Sequence, residues 1–183
     1  MLPLWIALGL LGVCLLYVIV TFNRLVRLRV RSENAWSQID VQLKRRYDLI
    51  PNLVNTVKGY AAHEREVFEE VTRARSQAQA ATGVQAQAEA ENQVTRSLNR
   101  LIAVAERYPE LKASQNFLAL QEELTGTESK IAYARQFYND QVAGLNTLIQ
   151  QFPPSIVARL ARFHPREFFE IEDPDRGPVA VQF

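Results

Sequence analysis

Trp36–Ala80 reads WSQIDVQLKRRYDLIPNLVNTVKGYAAHEREVFEEVTRARSQAQA, and its apolar residues return at every seventh position. One row runs Trp36, Leu43, Ile50, Val57, Glu64, Val71, Ala78, and its flanks hold Ile39, Leu53, Tyr60, Val67 and Tyr47, Val54, Ala61, Phe68. Residues three, four and seven apart share one face of an α-helix, so the stripe is wide enough for a bundle rather than a two-stranded seam. Pro51 falls in mid-pattern, where it removes one backbone donor and crowds the preceding turn. The phase of the stripe survives across it, so a kink is expected there.

Working downstream, Ser76–Asn92 is rich in Ala, Gln and Glu with Thr82–Gly83 as a turn signal, and reads as a solvated hairpin tip. A second helix places Val94, Leu98, Leu101, Ile102, Ala105 and Tyr108 on one face until Pro109. A third repeats the heptad in Phe117, Leu124, Ile131, Tyr138, Leu145 and Phe152, with Ser114 or Asn116 to cap it and Pro153–Pro154 to end it. Ser155 is then expected to cap a short amphipathic helix with Ile156, Val157, Leu160 and Phe163 inward, and Arg159 and Arg162 outward. The segment from His164 carries Pro165, Pro174 and Pro178 and should be extended. Its alternating Val179, Val181 and Phe183 suit a strand-like docking segment. The three helix lengths do not match, so either the first breaks or the third overhangs the hairpin tip.

Upstream, Leu2–Phe22 (LPLWIALGLLGVCLLYVIVTF) holds no charged side chain and has about the length a helix needs to cross a bilayer core of ~30 Å. Arg24, Arg27, Arg29 and Arg31 follow at once, with Lys44, Arg45 and Arg46 close behind. The positive-inside bias then predicts Met1 outside and the rest in the cytoplasm. A cleaved signal peptide would carry a basic n-region, a shorter apolar stretch and an A-x-A-like site, and these are missing from the pattern. Gly9 and Gly12 are spaced i,i+3, which is not the GxxxG dimer motif. The expected architecture is therefore all-α. It comprises an N-terminal transmembrane helix (1–23), a long antiparallel cytoplasmic bundle of three long helices plus one short helix (24–163), and an extended C-terminal tail (164–183).

A net charge of +1 implies no bulk polyanion such as nucleic acid, whereas the local arginine collar suits anionic lipid. The single cysteine, Cys14, lies within the apolar run and leaves no disulfide framework. Di-metal carboxylate bundles need Glu-x-x-His, but Tyr60 precedes His63 and Ala161 precedes His164 at that spacing. The acidic run Glu170, Glu172, Asp173, Asp175 lacks the calcium-loop pattern and contains Pro174. The seven glycines form no phosphate loop, and His63 has no evident nucleophile in its own stretch. No metal, cofactor or catalytic residue is expected.

Polar groups do interrupt the stripes: Asp40, Arg46 and Glu64 on the first helix, and Gln121, Glu128, Arg135 and Gln141 on the third. Charges facing a core are costly unless paired. Three readings stand: edge positions reaching water, an interhelical polar layer of Arg46, Glu64, Glu128 and Arg135 that fixes register, or a ligand-lined groove. Arg135 with Glu128 or Glu64 is the first pair to consider. Lys44 suits an i,i+4 pair with Asp40, and Trp36 reads as a core anchor.

Asn34–Ala80 resembles the signature segment of the LemA family. The blocks AERYPELKASQNFLALQEELTGTESKIAYARQFYNDQVAGLNT (105–147), FPPSIVARLARF (152–163), and FFEIED (168–173) with RGPVAVQF (176–183) are similar to the same family in order and spacing. The resemblance implies a bacterial inner-membrane protein with an outside N-terminus and a cytoplasmic antiparallel bundle. It carries no established activity, cofactor or catalytic residue. The family's genes often neighbour those of a membrane protein with a TPM-type domain. Long helices without evident chemistry suggest a scaffold for self-assembly, as a homo-oligomer, or for another membrane protein. The alternative is a ligand-sensing or enzymatic bundle with a polar site among Glu64, Glu128 and Arg135, and a third reading is a membrane-surface organiser binding lipid through the arginine collar.

Overall fold

A computed structural model of the chain describes residues 2–171, with side chains from Trp5 onward. Among the described residues there are six helices and no strand: α1 Leu2–Lys58, α2 Arg65–Ala80, α3 Val84–Glu106, α4 Pro109–Lys112, α5 Gln115–Gln150 and α6 Pro154–Leu160. The chain is all-α, with a long apolar N-terminal helix and a helical bundle. Val179, Val181 and Phe183, with Pro174 and Pro178, lie outside the described residues.

The first long helix is not one rod as far as Ala80. It passes through Pro51 and ends at Lys58, and Gly59–Glu64 form a turn before α2. Tyr60, expected in the stripe, sits in that turn, 45% exposed. Proline is tolerated inside α1 because the carbonyl it leaves without an amide, that of Tyr47 four residues back, accepts a hydrogen bond from Arg75 Nε at 2.8 Å. At the hairpin tip Gly83 has φ +91°, a conformation that side chains with a Cβ rarely adopt, so the turn signal at Thr82–Gly83 has a backbone reason.

The chain divides into two compact units, and α1 and α5 each supply residues to both. One unit holds residues 41–131 together with residues 169–171. Its core is Leu43, Ile50, Leu53 and Val57 of α1, Val67, Phe68 and Val71 of α2, Val94, Leu98 and Leu101 of α3, Leu111 of α4, and Phe117, Leu124 and Ile131 of α5. α2 and α3 run antiparallel about the 81–83 turn. The pairing is visible in Gln87 Nε2 on the Ala78 carbonyl (3.2 Å), Arg100 with Glu70 (2.5 Å) and Arg107 with Glu64 (2.7 Å). Ser114 precedes α5 and its carbonyl accepts from the Leu118 amide at 3.0 Å, closing the first turn.

The other unit holds residues 1–40 and 132–168. Its buried cluster is Leu25 of α1, Leu145 and Leu148 of α5, and Val157 and Ala158 of α6, with Leu28, Ile149 and Phe163 packed against it. Here α1 and α5 are antiparallel: Trp36 packs on Tyr138 with ring centroids 5.3 Å apart, and a Cβ on Gly144 would sit 3.6 Å from Leu28 Cδ2. α6 departs from expectation. Pro153, not Ser155, is its N-cap, so Ser155 lies inside the first turn. Val157 and Ala158 face the core, while Ile156 (53%) and Leu160 (81%) face outward. After α6 the chain runs without regular structure along α5. Asn146 clamps the backbone of Arg166 through two hydrogen bonds (2.8 and 2.9 Å), and the Tyr138 hydroxyl donates to the Glu167 carbonyl at 3.0 Å.

Candidate functional site

The most concentrated chemistry among the described residues is a polar layer in the 41–131 unit, centred on Arg46. Arg46 is 1% exposed and lies between Ile39 and Leu53 in the same heptad row, a position where an aliphatic side chain would serve a core. Burying a guanidinium alone costs several kcal/mol, so its partners must meet it at fixed distances. Arg46 Nη2 pairs with Glu91 of α3, and Nη1 reaches Glu128 of α5 at 2.6 Å and Thr95 of α3 at 3.2 Å. Glu91 is fully buried and its other oxygen accepts from the Tyr47 hydroxyl and from Gln87 Nε2 (2.8 Å), which also donates to the Tyr47 hydroxyl (2.9 Å). Glu128 is 39% exposed, so it links the buried pair to solvent.

This arrangement ties α1, α3 and α5 at one level. Both oxygens of Glu91 already accept hydrogen bonds, which suits a register-fixing layer better than proton transfer to a bound substrate. Two atoms inside it stay without a protein partner: Arg46 Nε and Gln42 Oε1.

Of the four residues expected in the layer, Arg46 and Glu128 meet. Glu64 does not join them: it lies in the turn after α1 and pairs with Arg107 of α3 at 2.7 Å. Arg135 belongs to the other compact unit and is half-buried. Glu91 was missed. Its signal was present in the seven-residue row Val84, Glu91, Leu98, Ala105, but the surrounding alanines and glutamines disguise that row as a solvated tip.

His63 lines an open depression of about 450 Å³ with Glu64, Glu66, Val67, Arg100 and Arg107. No Ser, Thr or Cys lies in that lining, so a nucleophile–base pair is not assembled there. Among the described residues no group of three or more His, Cys, Asp or Glu is placed to hold a metal ion.

The arginine collar belongs to the 1–40 and 132–168 unit. Arg24, Arg27, Arg29 and Arg31 are all exposed on α1 just after the apolar run. Every side chain from Trp5 to Val20 is exposed too, and this part of α1 is long and apolar enough to cross a membrane. Glu33 accepts from Arg29 (3.2 Å) and from Arg166 (2.5 Å). Its carboxyl is held below its ordinary value by the Arg29 hydrogen bond first; burial opposes this, and Arg166 adds further lowering through its hydrogen bond and its charge. Burial pushes the Tyr138 hydroxyl up.

The LemA family profile matches residues 35–183, so the chain belongs to the LemA family. It is similar to magnetosome protein MamQ 2 of Paramagnetospirillum magneticum, at 22% identity over 88% of this chain and 69% of that protein. The same figures hold for magnetosome protein MamQ of Magnetospirillum gryphiswaldense. Protein LemA of Metamycoplasma hominis is 26% identical over 86% of this chain and 72% of that protein.

Proposed function

We propose that this LemA-family chain is a membrane-anchored helical scaffold that presents its bundle at a membrane surface for self-assembly or for another membrane protein, without catalysis of its own. The observation that carries the reading is how the buried ionic layer among the described residues is used. Arg46, Glu91, Glu128, Tyr47 and Gln87 pair with one another across three helices, and that interior chemistry is spent on holding register.

Two further features support it. The exposed apolar run Trp5–Val20 needs a lipid environment, because backbone and side chains of this kind are stable in hydrocarbon only as a helix. Outside it, Leu118 (48%), Tyr133 (74%) and Phe137 (38%) leave apolar surface exposed on α5, the kind of surface that association covers. The arginines after the run support a cytoplasmic bundle with the N-terminus outside, in a bacterial inner membrane.

Light scattering of the detergent-solubilised full chain tests self-assembly. A symmetric oligomer at micromolar concentration is the expected result, weakened by Tyr133→Ala with Phe137→Ala. A monomer throughout, with no partner recovered from membranes by cross-linking, would end the scaffold reading. Membrane-impermeant labelling of single cysteines beside Met1 and at Tyr133 tests the orientation.

A further inference from the structure

α6 carries an apolar face that the described residues leave uncovered. Phe152, Ile156 and Leu160 are spaced four apart along the turn and the helix, and are 78%, 53% and 81% exposed. On the opposite face Pro154 is buried, and Val157 and Ala158 are buried in one cluster with Leu25, Leu145 and Leu148. The helix is thus packed with its oily side outward. Arg159 and Arg162 flank that side and are exposed.

The level at which α6 sits is fixed by its contacts with α1. Phe163 meets Phe22, the last residue of the uncharged run, edge-on at 6.1 Å and 75°. Tyr138 faces Trp36 and Gly144 faces Leu28, so a step toward the C-terminus of α5 matches a step toward the N-terminus of α1. Continued at that register, Gln150 at the end of α5 comes level with roughly residue 22 of α1, the end of the apolar run, and Phe152 lies in the turn just past it.

The end of α6 adds an independent sign. The Phe163 amide donates to the Ala158 carbonyl (2.9 Å) and the Arg162 amide to that of Arg159 (3.1 Å), the paired bonds of a Schellman closure. Its left-handed position, φ +55°, is taken by Arg162 where glycine would be unstrained. An arginine kept in that conformation places a charge beside the exposed apolar face.

From these observations we infer that α6 and the turn before it form a second membrane contact. Phe152, Ile156 and Leu160 dip into the headgroup–acyl boundary of the leaflet from which Arg24 emerges, and Arg159, Arg162, Arg24 and Arg27 bind anionic headgroups. The occupant is lipid rather than a protein because α1 itself fixes the bilayer at this height and basic residues border the apolar face, the pattern of an interfacial helix. The inference rests on residues 2–22 spanning the membrane.

The test uses the full chain with Cys14→Ala in vesicles of mixed zwitterionic and anionic phospholipid. Single cysteines at Phe152, Ile156 and Leu160 carry an environment-sensitive fluorophore, with Val13 as the reference inside the span and Gln38 as the reference in water. All five positions are exposed, so the substitutions spare the core, and circular dichroism checks each fold. Brominated acyl chains are expected to quench the α6 labels at least about twofold, and aqueous iodide to reach them several-fold less well than the label at Gln38. Shielding should weaken in purely zwitterionic vesicles and in Arg159→Gln with Arg162→Gln.

Iodide access equal to that at Gln38, with Val13 still quenched by brominated lipid, overturns the α6 contact and leaves the span intact. Loss of quenching at Val13 overturns the span itself. Shielding that disappears as the protein is diluted into excess lipid identifies a second copy of the chain as the cover and overturns the lipid assignment. Shielding identical in zwitterionic vesicles overturns the anionic preference.

Discussion

Arg75 of α2 donates its Nε–H to the backbone carbonyl of Tyr47 in α1 at 2.8 Å, the oxygen that Pro51 deprives of its helical donor. A proline inside a helix and an arginine on the next helix are therefore one structural device. Removing the donor leaves a partly buried carbonyl unpaired, and hydrogen bonds from charged groups contribute about 1.5–3 kcal/mol. Arg75→Ala should lower the unfolding free energy of the solubilised chain by about that amount. In a Pro51→Ala background the restored amide serves the same oxygen, so the cost should fall by roughly 1 kcal/mol. Equal costs in both backgrounds would show that Arg75 acts through something else.

The ionic layer predicts an asymmetric response. Arg46→Met leaves Glu91 buried and uncompensated, which costs about 3–5 kcal/mol and lowers Tm by roughly 10 °C for a chain of this size. Arg46→Met with Glu91→Leu removes both buried charges, while the half-exposed Glu128 can turn to water. The double variant should be more stable than Arg46→Met alone. Thermal denaturation of the parent chain, Arg46→Met and the double variant decides it, and a double variant no more stable than Arg46→Met would contradict the pairing.

Acid and alkali should act on opposite sides of the unit formed by residues 1–40 and 132–168. The folded-state pKa of Glu33 lies below its ordinary 4.5, so the protein binds fewer protons there when folded. Its contribution is present above that value and disappears as pH falls through the depressed pKa. Glu33→Gln should thus cost a few tenths of a kcal/mol near neutrality, as expected of an exposed pair, and nothing in strong acid. The Tyr138 hydroxyl is raised above 10.0 by burial, so its contribution is full below that pH and is lost as pH rises through the higher folded value. Tyr138→Phe should flatten the alkaline limb of the stability curve. Denaturation across the pH range checks both signs.

Two glycines should answer to alanine in opposite directions. Gly83 has open space around it but a φ of +91°, so Gly83→Ala should destabilise by about 1 kcal/mol through backbone strain alone. Gly126 lies inside α5 with nothing within 4 Å of an added Cβ, so Gly126→Ala should stabilise by about 0.5–1 kcal/mol. Matching signs in a melting experiment would refute the assignment of the turn.

Most of the helical framework was legible because large apolar residues mark it: Leu43, Ile50, Val57, Phe117, Leu124 and Ile131 all fall where their rows place them. The mismatched helix lengths allowed for a break in the first helix, but its place after Lys58 was not legible, because the row continues in phase past Gly59 while the chain turns out of the helix. Pro51 attracted the expectation of distortion, yet the distant Arg75 relieves it, and no local pattern announces a partner 24 residues away. Glu91 escaped because alanines carry too weak an apolar signal to outline its row. On α6, Ile156 and Leu160 were read as core because hydrophobic residues ordinarily point inward, whereas both are exposed.

Thr21 is the first buried residue among the described side chains of α1, and every residue from Trp5 to Val20 is exposed. The apolar stem should therefore be interchangeable. A foreign oily helix of equal span, grafted so that Thr21 and Leu25 keep their facing, should leave the fold untouched. A single residue inserted after Phe22 would instead swing the stem by roughly 100° about the helix axis and pull Phe22 away from Phe163.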